Sequence, residues 1–202
     1  MLSLTTLNNN GDLNNPAQLK AQLSQLKSGG VDGVMVDVWW GLVERVANQY
    51  YWSGYLQLAQ MCQDVGLTLQ VVMSFHQCGG NVGDTCNITV PAWAIHSNSS
   101  AFYKDQHGNV DYEYISLGAD NFAIFQGRSP VQIYRNFFES FAMSFAKYFP
   151  NTINEVQVGL GPAGELRYPG YQLALWSYCG IGEFQNYDPF LMADLRAAAV
   201  AA

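Results

Sequence analysis

Three β-rich runs, separated by helical patterns, constrain the fold of this chain more than any other feature. They cover residues 33–40, 67–74 and 153–159. An apolar run without strict alternation is typical of a parallel strand that is covered on both faces. Strands that alternate with helices build parallel sheets through right-handed crossovers. We therefore predict an α/β fold, built either as an open doubly wound sheet or as half of an eight-stranded barrel.

Helix signals lie between these runs and complete four strand–helix units. Asn15 and Pro16 predict an N-cap and a first helical position, and Gly29 with Gly30 predicts the end of that helix. Further helices are predicted over 53–65, from 130 to about 150 and over 189–202, and residues 2–6 predict an additional strand before the first helix. One helix face is predicted to be core because it is aromatic: Phe137, Phe138, Phe141 and Phe145.

Composition and charge exclude several classes of function. The 202 residues have the length of one domain, or of a piece of a larger one. Charged residues make up only 12 % and apolar residues 49 %, which predicts a packed core rather than disorder. A net charge of -7 without any lysine or arginine run argues against nucleic acid as a partner. No apolar stretch is long enough to predict a membrane span, and no signal peptide is predicted.

The cysteines show no paired spacing that would predict zinc, and we expect no metal ion and no cofactor. Separate reduced thiols are the favoured interpretation, and a bridge between Cys78 and Cys86 is the alternative in an oxidising compartment. Two glycosylation sequons, at Asn87 and Asn98, favour a secreted protein. The compartment and the oligomeric state stay open.

A glycine-lined segment, 159–169, follows the third β-rich run and carries Glu165. A carboxyl group at the end of a strand, partly shielded from water, can stay protonated near neutral pH and donate a proton. The alternative is an ordinary solvated glutamate. The glycine spacing also matches a dinucleotide-binding fingerprint, but Pro169 would break the helix that this fingerprint requires, and Glu165 would repel a phosphate.

Further polar residues follow the other strands. Asp37 lies near the end of one run, His76 follows the next, and Asp84 comes after a glycine-rich loop. Carboxylates and imidazoles among aromatic rings suit sugars, because hydroxyls pair with polar groups while the apolar sugar face stacks on rings. Each residue also has an ordinary alternative: Asp37 as a turn cap, His76 as a core histidine, and Asp84 as a turn former.

Taken together, these segments resemble the β-amylases of glycoside hydrolase family fourteen, and the resemblance extends over the whole chain. It rests on residues 33–41, 66–70, 73–84, 158–169 and 180–185. It implies that residues 1–202 are a single partial catalytic domain, the first half of a TIM-type (β/α)₈ barrel. It also implies release of β-maltose from the non-reducing ends of α-1,4-glucans such as starch, glycogen or maltooligosaccharides, with inversion.

Carried over residue by residue, the resemblance makes Glu165 the general acid. Asp37 and His76 would hold the hydroxyls of the terminal glucose, and Asp84 would lie on a mobile loop, 79–84, that closes over the substrate. Glycines at both ends of that loop suit a segment that must bend.

One departure from the family limits what this chain is expected to do. Inversion needs a second carboxylate that activates water, about 6.5–9.5 Å from the first. The family keeps this base in the second half of its barrel. The glutamates other than Glu165 do not match the family's base motif: Glu44, Glu113, Glu139, Glu155 and Glu183. We therefore expect residues 1–202 alone to be inactive. The alternative is a non-catalytic glucan-binding or regulatory protein.

Overall fold

The computed structural model describes residues 1–79, 84–166 and 184–202. In these ranges the helices are α1 (Pro16–Ser28), α2 (Trp40–Val43), α3 (Ser53–Val65), α4 (Ala92–Ser97), α5 (Pro130–Ser144) and α6 (Pro189–Ala201). The strands are β1 (Gly33–Trp39), β2 (Thr68–Ser74), β3 (Phe102–Lys104), β4 (Val110–Ile115) and β5 (Ile153–Gly159).

β1, β2 and β5 form a parallel sheet in the order β1–β2–β5. Its register brings the last residues of the strands to the same level, since Trp39 pairs with Ser74 and Ser74 pairs with Gly159. The segments that follow the three strands therefore start side by side. This confirms the predicted α/β class and the predicted parallel sheet.

The chain enters the first helix through a turn, so the predicted strand over residues 2–6 is wrong. The hydroxyl of Thr6 donates to the carbonyl of Ser3, and the amide of Thr5 donates to the Ser3 hydroxyl. These local bonds compete with a strand ladder. A single bond from the Leu2 amide to the Met35 carbonyl, 2.8 Å long, keeps the segment against β1.

Helix ends follow the sequence signals with two exceptions, the cap of α1 and the end of α5, which lies at Ser144 rather than near residue 150. Gly66 ends α3 in the left-handed conformation, and Ser129 forms a capping box with Gln132 at the start of α5. Pro16 occupies the first turn of α1, but Asn15 makes no side-chain capping bond because its own backbone is left-handed, with φ of 47°. Gly30 supplies the left-handed residue after α1, with φ of 87°.

The core is aromatic where α5 packs against the sheet. Phe137, Phe141 and Phe145 are buried, as predicted, and Phe138 is half-buried. The ring of Trp52 lies 5.0 Å from that of Phe137 and makes edge contacts along the same face of α5. This cluster reaches the end of β2, because the ring of Phe75, the residue after that strand, lies 5.1 Å from the ring of Phe137.

β5 is not the buried strand that its sequence predicts. Its five central residues are exposed, and Val158 exposes 51 % of its surface. β5 lies at the edge of the sheet, and among the described residues no strand pairs with its outer side. Such an open edge is what half of a barrel would present.

An antiparallel hairpin, β3–β4, lies in the long connection between β2 and α5, where the sequence analysis predicted no strand or helix. The side chains of Phe102, Tyr103 and Tyr114 in this hairpin are buried. Within the described ranges no helix is both long and apolar enough to cross a membrane.

Candidate active site

A cavity of about 290 Å³ opens at the level where β1, β2 and β5 end. Asp37, His76 and Asp84 all line it, together with Ala163 and Gly164 from the turn after β5. Three segments that are far apart in the chain thus meet at the carboxyl edge of the sheet, which is where parallel α/β folds keep their ligand sites. Met35, Trp39, Ser74 and Gln77 complete much of the wall.

Asp37 reaches the cavity with one satisfied oxygen and one unsatisfied oxygen. Its Oδ1 accepts a bond of 3.0 Å from the Ser74 hydroxyl, whereas Oδ2 is buried and has no hydrogen-bond partner among the described residues. Burial raises the pKa of Asp37, and the bond from Ser74 opposes this rise. The Tyr55 hydroxyl donates to the Asp37 carbonyl and fixes the backbone there. Asp37 therefore offers a buried acceptor to a ligand with hydroxyl groups.

His76 packs between an indole and the turn. Its ring lies 5.3 Å from the Trp39 ring in an edge-on arrangement, and a Cβ built on Gly164 would lie 3.1 Å from its Cε1 atom. Burial lowers the pKa of His76 to about 4, although the negative charge of Asp84 opposes this shift. Nδ1 is buried and has no hydrogen-bond partner in the described part of the chain. The imidazole is thus neutral near pH 7 and has both a donor and an acceptor nitrogen.

A disulfide and hydrogen bonds hold Asp84, the last residue of loop 79–84, close to Gly79 at the start of that loop. Cys78 and Cys86 form a disulfide, so the expectation of separate reduced thiols is wrong for this pair. Asp84 Oδ2 accepts a bond of 2.9 Å from the amide of Gly79, and Cys78 exchanges two backbone bonds with Ile88. Cys62 is a buried free thiol. Residues 80–83 of the predicted mobile loop, and Cys179, lie outside the described residues.

The segment after β5 forms a tight turn that depends on glycine. At Gly161, φ is 87°, and an added Cβ would collide with the backbone carbonyl of Glu165. The amide of Gly164 donates to the Gly161 carbonyl and that of Glu165 to the Pro162 carbonyl, which closes a single 3₁₀ turn over Pro162–Gly164. Ala163 lies in the left-handed region with φ of 54°. Between Gly159 and Leu166 the chain forms no α-helix, whereas a dinucleotide fingerprint needs a helix that opens at its third glycine.

Glu165 lies next to the cavity but not within its lining. The side chain is exposed, whereas the preceding residue, Gly164, lines the cavity together with His76. The sequence predicted a partly shielded carboxyl group, and the described residues do not provide this shielding. The reason is the position of the turn after an edge strand, which only β2 flanks among those residues. The neighbouring residues Arg167 and Pro169 fall outside the described ranges.

Several residues at this site were not singled out from the sequence. Ser74 and Trp39 end their strands at the level of Gly159, so matching strand ends in register would have found them. Glu113 is different, because it comes from β4 and reaches the turn after β5 through a bond to Ala163. No local pattern reveals that contact. Residues 180–185 also carry the resemblance to the β-amylases. Only Phe184 and Gln185 of this segment are described, and Gln185 is buried.

Parallel strand–helix units with a polar cavity at their carboxyl ends define this chain as an α/β domain of the class that keeps its ligand site at this edge of the sheet. The model of the glycosyl hydrolase family 14 matches residues 1–201. The chain belongs to this family. A solved structure that is similar to it is the catalytic domain of a β-amylase from Paenibacillus polymyxa, with a TM-score of 0.79 and 38 % identity over 93 % of this chain and 44 % of that one.

Curated relatives agree with this placement. The chain is 48 % identical to a β-amylase of Trifolium repens over 208 aligned positions, 48 % identical to a β-amylase of Glycine max, and 46 % identical to the chloroplastic β-amylase 1 of Arabidopsis thaliana. The alignment with the Trifolium repens protein covers all of this chain and only 42 % of the relative. The chain therefore spans less than half the length of the curated relatives that it matches, and the fold it shares with them is the TIM-barrel catalytic domain.

Proposed function

We propose that this chain carries the sugar-binding pocket and the general acid of a β-amylase-type exo-hydrolase. The enzyme would release β-maltose from the non-reducing ends of α-1,4-glucans with inversion at the anomeric carbon. The observation that carries the proposal is the single cavity lined by Asp37, His76 and Asp84 at the carboxyl edge of the sheet. The relatives that bear the name β-amylase support the same substrate class.

The chemistry of the cavity suits a terminal glucose. Asp37 Oδ2 is a buried acceptor that a sugar hydroxyl would satisfy, and the neutral His76 can donate from one nitrogen and accept at the other. Trp39 lines the same cavity and presents an apolar ring. A buried polar group that only the ligand satisfies gives strong discrimination against molecules without the matching hydroxyl.

Glu165 would donate its proton to the glycosidic oxygen as the bond to the anomeric carbon breaks. The short turn ties its backbone to a residue that lines the cavity, which supports this role. In this structure the Glu165 side chain is exposed. A bound glucan would cover it and exclude water from the reacting bond.

A second carboxylate must remove a proton from the attacking water on the opposite face of the sugar. The described glutamates other than Glu165 have different surroundings. Glu44 is buried in an ion pair with Arg128, and Glu155 on β5 accepts a bond from Gln70. We therefore assign the base to none of them, and we propose that residues 1–202 alone do not hydrolyse glucans. Maltose release by the isolated chain would contradict this.

The acid is tested by Glu165→Gln in the full-length protein, with maltooligosaccharides as substrates. We expect kcat to fall by about 10³-fold or more, within the range that general acids contribute, while KM changes little. Glu139→Gln is the matched control, because Glu139 is exposed on α5 and far from the turn in sequence. Wild-type-like kcat in the Glu165 variant would refute the role. Binding of maltooligosaccharides by the wild-type protein without hydrolysis would instead favour the glucan-binding alternative.

A further inference from the structure

Glu113 connects two segments that both reach the candidate active site. It lies on β4, in the antiparallel hairpin that is separate from the parallel sheet. Its side-chain Oε1 accepts a bond of 2.8 Å from the amide of Ala163, two residues before Glu165. Its backbone carbonyl accepts a bond of 2.8 Å from the amide of Gln77, the residue after His76. One residue therefore contacts the turn after β5 and the segment after β2.

The turn needs such a contact more than most turns do. Ala163 has a left-handed backbone, which disfavours any residue that has a Cβ atom. The two amides that follow it are used inside the turn, whereas the amide of Ala163 points out of it toward Glu113. The side-chain oxygen of Glu113 satisfies this amide and so helps to hold Ala163 in its unusual conformation.

The hairpin that carries Glu113 is itself well anchored. Tyr114, the next residue, is buried, and its hydroxyl lies near the backbone of Gly161 in the same turn. The amide of Glu113 donates to Asp111 Oδ1, and the amide of Ser116 donates to the Ala101 carbonyl. Two successive residues of β4 thus hold the start and the middle of the turn.

We propose that Glu113 is a positioning residue for the reaction, because it fixes the turn that carries Glu165 relative to the segment that carries His76. This inference rests on the proposed function. Glu113 is neither the general acid nor the base. Its side chain acts through Ala163, and its backbone carbonyl acts through Gln77.

Three variants of Glu113 distinguish the length of its side chain from its charge. In Glu113→Gln, the amide oxygen can still accept the bond from Ala163, so the turn stays in place. In Glu113→Asp the charge remains, but the shorter side chain brings its oxygens about one methylene length short of Ala163. Glu113→Ala removes the acceptor altogether. The expected order is therefore wild type close to Gln, with Asp and Ala both impaired.

Hydrogen–deuterium exchange in the full-length protein tests the contact without any substrate. In the Ala and Asp variants we expect peptides that cover residues 159–166 to exchange about tenfold faster, with peptides from β1 and α5 unchanged. The Gln variant and the control Glu139→Ala should match the wild type. Unchanged exchange at 159–166 in the Asp and Ala variants would overturn the proposal, as would faster exchange throughout the protein. If the Ala variant does not fold, the Asp and Gln pair decides the outcome.

Kinetics in the full-length protein then test the consequence for the reaction. We expect kcat on maltooligosaccharides to fall about 10- to 100-fold in the Asp and Ala variants, because small displacements of a reacting group are costly, with KM within about threefold. Recovery in the Gln variant supports positioning. Equal loss in the Gln and Ala variants would overturn it. If the wild-type protein shows no hydrolysis, the proposed function fails, whereas the exchange experiment still decides whether Glu113 holds the turn.

Discussion

The pocket at the ends of β1 and β2 and the turn after β5 meet at one cavity, but they are held in different ways. Asp37 is supported by buried neighbours, since Ser74 binds its side chain and Tyr55 binds its backbone. Glu165 is exposed, and its turn is held by backbone bonds and by two residues of β4. β1 and β2 have the core beneath them, whereas β5 is an edge strand. The proposed sugar-binding part of the site is thus pre-formed by packing, and the proposed acid is placed by the geometry of a turn.

Gly161→Ala should have the largest effect on activity among the mutations below that test the difference between the pocket and the turn. In Gly161→Ala the new Cβ would collide with the Glu165 carbonyl, so the turn must shift. We expect kcat of the full-length protein to fall about 100-fold, because the proposed acid moves. We expect the melting temperature to change little, because the turn lies outside the aromatic core.

Gly30→Ala is the matched control for this experiment. Gly30 has the same φ of 87°, but an added Cβ would meet nothing within 4 Å. It therefore carries the conformational cost of a left-handed alanine without the collision. If both variants lose the same activity, or if Gly161→Ala unfolds the protein, the turn is not the separate element that we describe.

The pocket should respond in the opposite manner, by losing affinity while the fold gains stability. Burial disfavours the charge of Asp37, so Asp37→Asn should raise the melting temperature at pH 7. The same change removes a charged acceptor, and we expect maltose to bind about 10- to 100-fold more weakly. Calorimetric titration and thermal unfolding measure the two effects. Asp32→Asn, in an exposed position before β1, is the control, and unchanged maltose affinity in Asp37→Asn would contradict the role of the pocket.

A smaller effect concerns the pH dependence of stability. His76 has a folded pKa of about 4, below the value of about 6.5 expected in the unfolded chain, so protons bind preferentially to the unfolded state between these values. The neutral histidine therefore contributes stability above pH 6.5 that is lost as the pH falls toward 4. Between pH 7 and pH 5 the loss should be about 1–2 kcal/mol.

Urea unfolding at the two pH values measures this loss. In His76→Gln the difference between pH 7 and pH 5 should shrink, whereas His107→Gln, at an exposed position, should keep the wild-type difference. An unchanged pH dependence in His76→Gln would mean that the imidazole is not buried as the structure describes.

The sequence predicted the parts of the site that follow from strand ends. β1, β2 and β5 carry strong β signals, and Asp37 and His76 lie next to the ends of the first two, so a shared edge brings them together. The prediction failed in two places, once because of local hydrogen bonds and once because of the position of a strand in the sheet. Residues 2–6 turn because hydroxyls bind nearby backbone, and Glu165 is exposed because β5 is an edge.

The hairpin β3–β4 shows a second limit of the sequence. The alternation in its sequence is short, and its strand pairing is interrupted by a register shift. The bond between Glu113 and Ala163 joins residues 50 positions apart in the chain, so no local sequence pattern predicts it. The disulfide between Cys78 and Cys86 was one of two open alternatives, since spacing alone does not distinguish a bridge from two thiols.

The most direct test of the account compares two substrates with the Glu165→Gln variant of the full-length protein. A maltooligosaccharide has a poor leaving group that needs a proton, whereas α-maltosyl fluoride releases fluoride with little need for one. If Glu165 is the general acid, the variant loses about 10³-fold or more in kcat on the oligosaccharide but less than about tenfold on the fluoride. Equal losses on both substrates would show that Glu165 does not donate the proton.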